Sequence, residues 1–157
     1  MGHAVKGLIA EPGTLQVFAS RHSLHPPIAL SGDLAILPLR DVDLDSFPFP
    51  PFSGNREGAD FLSDQFIDVL RAASRGGALI YFETDYFGGY GAQAAAVFQD
   101  GTLVFGPESA EFGPINMALQ LLGVCVEPPA VDEFDTVGLG RCRHTEDWLE
   151  LRGIGGA

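Results

Sequence analysis

Apolar side chains recur at two different periods along this chain. Leu62, Phe66, Val69, Leu70 and Ala73 fall on one helical stripe while Asp64, Asp68, Arg71 and Arg75 fall off it, which predicts an amphipathic helix from about Asp60 to Ser74. Gly76-Gly77 ends it, and Asp60 near the start and the arginines near the end complement the helix dipole. The residues that follow switch to period two. In a strand from Ala78 to Asp85, Leu79, Tyr81, Glu83 and Asp85 share one face and Ile80, Phe82, Thr84 and Tyr86 the other. Asp100-Gly101, flanked by apolar runs, predicts a two-residue hairpin with Phe98 opposite Leu103 and Val97 facing Val104. At least three sequential antiparallel strands result. Ala94, Ala95 and Ala96 are small for a strand and leave room for a close-packed helix or a ligand.

Shorter signals fill in the remainder. Ala4 to Ala10, Leu15 to Ala19 and Leu34 to Leu39 read as strands separated by Pro12-Gly13 and Ser31-Gly32-Asp33. Between Asp41 and Asn55 the alternation of Asp with apolar residues, followed by Phe47-Pro48-Phe49-Pro50-Pro51-Phe52, predicts a connector, because proline removes backbone donors. Its phenylalanines fit a loop pinned over the core; the alternative is an exposed strip that meets a partner or holds an oligomer. Pro114 and Gly123 bracket a short buried helix. Asp132 to Val137 reads as a helical turn, Gly138-Leu139-Gly140 as a break and His144 to Leu151 as a last helix, with Thr145 as its cap. Strands with interspersed helices and a clear antiparallel hairpin define an α+β domain, mainly antiparallel sheet with a few packed helices, as one globular unit over residues 1–157.

Composition narrows what such a domain does. A formal charge of -12 with 46% hydrophobic residues, 12 of them Phe, places acidity on a folded surface rather than on a disordered chain. Nine Lys and Arg scattered from Lys6 to Arg152 form no basic cluster, so nucleic acid is not expected as a partner. No apolar run reaches membrane-spanning length, and Glu11-Pro12 cuts short the apolar piece Gly7–Ala10 before it forms a signal-peptide core, which makes the cytoplasm the expected location. Cys125 and Cys142 are too few and too far apart for a redox pair or a zinc site and read as ordinary buried or semi-buried thiols. No cofactor signature is present, and an acidic surface attracts a basic protein, a cation or only water.

The candidate chemistry sits after the period-two strand, where Glu83, Thr84, Asp85, Tyr86, Phe87, Gly88, Gly89, Tyr90 and Gln93 combine carboxylates, aromatics and glycines. Glu83 and Asp85 on one face permit a general acid and base pair, a hard-metal site or plain structural hydrogen bonding to loop amides. Gly88-Gly89-Tyr90-Gly91 leads into a strand rather than a helix, so it is no phosphate cradle but a bend whose aromatics cover the core or meet a partner. No activated cysteine or serine elbow is present. His144, in Arg141-Cys142-Arg143-His144-Thr145-Glu146-Asp147, is the one histidine outside the N-terminal segment and a candidate to approach Glu83. His22 and His25 read as exposed loop residues, and Arg141 and Arg143 as ion-pair partners for the acidic loop.

The run Tyr81 to Gln93, with Gly113-Pro114-Ile115-Asn116, Ala118-Leu119, Asp132-Glu133-Phe134-Asp135, Gly138-Leu139-Gly140 and Thr145-Glu146-Asp147-Trp148, resembles small uncharacterised bacterial proteins, some of them suspected to act as toxin-immunity proteins. The resemblance implies binding and assigns no residue a role. Two expectations follow: an acidic binding protein of immunity type that engages a basic toxin, or a hydrolase-like enzyme that uses Glu83 and Asp85, with or without a divalent metal and with His144 in support. The oligomeric state stays open.

Overall fold

A computed structural model of the chain describes residues 2–47 and 62–151. A six-stranded antiparallel sheet in the order β2-β3-β1-β4-β5-β6 forms the middle layer, with β1 at Lys6–Ala10, β2 at Ile28–Ala29, β3 at Ala35–Pro38, β4 at Leu79–Phe87, β5 at Tyr90–Gln99 and β6 at Thr102–Ala110. The fold is α+β, as the interspersed helices and the antiparallel hairpin predict. Period-two alternation divides β4 between two cores. Leu79 and Tyr81 face α1 (Pro12–Arg21) and α3 (Asp64–Ala73), packing with Leu15, Phe18, Phe66 and Leu70. Ile80 and Phe82 face the opposite layer, where α4 (Pro114–Leu121) and α6 (Thr145–Glu150) contribute Ile115, Ala118, Leu119 and Trp148. Both faces of the strand are therefore dry at its root, and each large side chain there gains about 1.5–3 kcal/mol from burial.

Helix α3 buries Phe66 and Leu70 of the predicted stripe, half-buries Val69 and Ala73 and adds Ile67, and Ser63 caps it by accepting from the Phe66 amide at 3.1 Å. The helix begins at Asp64, not at the predicted Asp60, because Ser63 is extended and serves as its cap, which leaves Leu62 ahead of the helix. Phe49 and Phe52 lie outside the described residues. Phe47 is buried against Phe18 and Phe66, as a loop pinned over the core requires. The triple alanine makes the room predicted for it: Ala95 lies in the core under α4, while Ala94 and Ala96 face the other layer.

Expectations for a strand, a connector and a hairpin register are corrected. Leu15 to Ala19 is helix, part of α1, not strand. Pro12 occupies the first turn rather than a bend, and the buried set Leu15, Phe18 and Ala19 is a helical stripe that leaves Val17 65% exposed. The connector from Asp41 opens with a short helix, α2 (Asp41–Asp45), held by Asp43, whose carboxylate accepts from the Arg40 backbone amide at 2.8 Å and from its guanidinium at 3.0 Å. The Asp100-Gly101 hairpin pairs Phe98 with Leu103 as predicted, but Val97 lies opposite Phe105 rather than Val104. Val104 is the extra residue of a β-bulge, which bends the edge strand away from further pairing.

Among the described residues no helix is long and apolar enough to cross a membrane. Helix α5 (Glu133–Val137) follows the predicted turn, with Asp132 capping it by accepting from the Asp135 amide at 2.8 Å and Gly138 at φ 85° ending it. Thr145 opens α6 but does not cap it; its hydroxyl accepts from the Lys6 amide at 3.2 Å and so ties the last helix to β1.

Candidate functional site

Strand β4 runs on past Asp85 to Phe87, turns at Gly88-Gly89 and returns as β5, so the predicted glycine-rich bend is a two-residue hairpin turn. Gly88 at φ 60° and Gly89 at φ 84° supply the pair of left-handed residues that such a turn needs. Gly91 closes the approach from behind, since a Cβ there would lie 2.0 Å from the Asp85 carbonyl.

Strand alternation sorts the candidate residues onto two faces. Thr84, Tyr86 and Gln93 lie on the α4 side and are bonded into the scaffold. The Thr84 hydroxyl is buried, accepts from the Val5 amide at 2.9 Å and meets His3 Nδ1 at 2.7 Å, while His3 Nε2 sits 3.3 Å from the Leu139 carbonyl. A carbonyl can only accept, so Nε2 carries the hydrogen and the neutral ring takes the Thr84 proton donor at Nδ1. Burial, reinforced by the neighbouring charges of His144 and Arg143, holds the His3 pKa below its ordinary 6.5, which favours this neutral form. The Tyr86 hydroxyl donates to the Glu111 carbonyl and accepts from Gln93 Nε2 at 3.1 Å; burial pushes its pKa up and keeps it protonated. Gln93 Oε1 in turn accepts from the Ile115 amide at 2.8 Å, one of the free donors in the first turn of α4.

The opposite face carries Glu83, Asp85 and Phe87 with Tyr90 directly across from Phe87 and Ala92 across from Asp85. Glu83 is half-buried and accepts from the Tyr81 hydroxyl at 2.6 Å. Asp85 is exposed. Phe87 and Tyr90 are each 83% exposed, on neighbouring strands and within one hairpin, whereas apolar rings elsewhere in β4 are buried. Phe112, 72% exposed, stacks on Tyr86 with ring centroids 6.1 Å apart and extends the aromatic surface around the hairpin edge. It escaped the sequence reading because nothing in Glu111-Phe112-Gly113 marks a ring held against a residue 26 positions earlier.

His144 is exposed and pairs by its backbone with Ala4, while His3 pairs with Tyr86. The segment from His3 to Val5 therefore lies between His144 and β4. The histidine that does meet β4 is His3, and its only sequence signal is Thr84, a hydroxyl on a face otherwise filled by Ile80 and Phe82. Arg141 lies over the Trp148 ring at 5.6 Å rather than against the acidic strand end. His25 is not exposed: its side chain is 4% accessible, and its Nε2 donates to the Pro38 carbonyl at 2.7 Å. Cys142 is buried, as expected, but Cys125 is exposed. Among the described residues no three His, Cys, Asp or Glu side chains converge as metal ligands.

Comparison with protein-family models, with curated proteins and with solved structures gives no match to this chain.

Proposed function

We propose that this protein is a binding module that uses the β4–β5 hairpin end to engage a basic protein, with blockade of a basic toxin, in the manner of an immunity protein, as its biological role. The observation that carries this reading is the cross-strand pair Phe87 and Tyr90, each 83% exposed on a two-residue turn with exposed Asp85 beside them. Rigid aromatics lose little side-chain entropy when covered and dominate the energetics of interfaces. A net charge of -12 adds long-range attraction for a cationic partner and raises the rate of encounter. Beneath the tip, the bonds from Thr84, Tyr86 and Gln93 fix the hairpin before any partner arrives, and a preorganised surface binds with less ordering cost.

Affinity capture from a lysate of the native host at low salt tests the proposal. The expected result is a stoichiometric basic protein that salt releases and that neither Asp85→Lys nor Phe87→Ala/Tyr90→Ala retains. Recovery of no basic partner at low salt overturns it, as does undiminished capture by both variants. Substitution of either ring is expected to weaken binding by about 2 kcal/mol or more, the range of central interface anchors.

A further inference from the structure

The two strands of the β4–β5 hairpin carry side chains of very different length on the face that Asp85 and Phe87 share. Across the pair, Glu83 lies opposite Ala94, Asp85 opposite Ala92 and Phe87 opposite Tyr90. Ala94 is buried, Ala92 half-buried and Tyr90 exposed, so β5 offers only a methyl group between the core and the Tyr90 ring. β6 ends at Ala110 opposite Gln93, one residue short of Ala92, and this alanine therefore has no strand partner on its outer side. The result is a notch floored by Ala92, closed inward by the core, with Asp85 on one flank and Tyr90 at the tip. Asp85 and Tyr90 are diagonal neighbours across the pair, which sets their backbones roughly 7–8 Å apart. Asp85 also differs from other carboxylates of the fold. Asp41 pairs with Lys6 at 2.8 Å, Asp43 with Arg40 at 3.0 Å, and Glu83 accepts from the Tyr81 hydroxyl at 2.6 Å. Among the described residues the Asp85 side chain makes no ion pair and no hydrogen bond.

We infer that the notch receives an arginine side chain of the basic partner, with its stem over Ala92 and its guanidinium paired with Asp85 and stacked on the Tyr90 ring. This rests on the binding role proposed for the hairpin end and specifies the group that is read there. A guanidinium is planar, so it lies flat on a ring while its edge donates two hydrogen bonds to one carboxylate, whereas an ammonium offers a point charge and no face. An exposed carboxylate alone holds any cation weakly. Beside an exposed ring, and above a methyl group rather than a longer side chain, the same carboxylate favours arginine.

Titration of the full chain with the peptide acetyl-Gly-Arg-Gly-amide, followed by backbone amide NMR, tests the inference, with peptides carrying lysine or citrulline in place of arginine as controls. The expected outcome is a saturable shift centred on Asp85, Phe87, Tyr90 and Ala92. Binding should be about tenfold weaker for the citrulline peptide, which lacks the charge, and for Asp85→Asn, the loss appropriate to a charged hydrogen bond. It should be about threefold weaker for the lysine peptide and for Tyr90→Leu, the loss appropriate to an exposed cation–π contact. Both substituted residues are exposed, and the amide spectra of the free variants verify their fold. Shifts centred on other residues, equal affinity for the arginine peptide and either control, wild-type affinity in either variant, or no saturable shift each overturn the inference. Capture of a basic protein from the host lysate is scored separately: a partner lost by Phe87→Ala/Tyr90→Ala but retained in full by Asp85→Asn leaves the hairpin a binding surface and removes the arginine from it.

Discussion

Asp100-Gly101 and Gly88-Gly89 are both two-residue turns with positive φ at each residue, 53° and 80° in the first and 60° and 84° in the second, yet their surroundings differ. The first is clamped to the end of α3. The Asp100 amide donates to the Ser74 carbonyl at 3.2 Å, the Gly101 amide to the Ser74 hydroxyl at 2.9 Å, and Arg71 Nε to the Gly101 carbonyl at 3.2 Å. Around Gly88 and Gly89 there is open space, and the flanking residues are Phe87 and Tyr90 rather than the polar Gln99 and Thr102 of the first turn. Docked turns with polar flanks serve the fold. A free turn with bare aromatic flanks gains nothing from the fold for its rings, and that contrast is what points to recognition.

Removal of the clamp is the largest test of the contrast. Ser74→Ala leaves the Gly101 amide without its acceptor and is expected to destabilise the protein by about 1–3 kcal/mol, read by urea denaturation. Loss below the error of that measurement would erase the distinction between a docked and a free turn. Acid should act more gently and on the other turn. His3 and His22 have folded pKa values below the 6.5 of the unfolded chain, so the folded state binds fewer protons. Their contribution is full above pH 6.5 and is lost as pH falls through 6.5 toward the folded values. Because His3 supports Thr84 and pairs with Tyr86, hydrogen exchange at Tyr86 and Phe87 should accelerate between about pH 7.5 and pH 5.5, after correction for intrinsic rates, more than at Asp100 and Gly101. His3→Gln should flatten that difference. The smallest effect belongs to the tip itself: Phe87→Ser/Tyr90→Ser should shift stability by no more than about 0.5 kcal/mol, since those rings bury almost nothing. A larger loss in thermal or urea unfolding would show that the rings serve the fold after all.

Local periodicity made the interior of the sheet legible. The alternation of β4, the Asp-Gly turn and the centre of the α3 stripe at Phe66 and Leu70 each depend on residues close in sequence and have the form that the pattern predicts, whereas the start of α3 is set by the Ser63 cap. Leu15 to Ala19 misled because five residues with a β-branched member suit a strand as well as a helix, and only packing against Phe66 and Leu70 decides between them. Val104 misled because a bulge depends on the partner strand. At the candidate site the alternation separated Asp85 from Tyr86 correctly, but the mates of Thr84 and Gln93 lie 81 and 22 residues away, beyond the reach of any local signal.

The first strand, β1, lies in the middle of the sheet, paired on one side with β3 and on the other with residues 79–83. A chain made from its N-terminus must therefore hold Leu8 and Ile9 ready for mates that emerge some seventy positions later, and closing so wide a loop delays the reward of pairing. Until that moment the strand at the centre of the future sheet keeps one unpaired edge even after β3 has joined it on the other side.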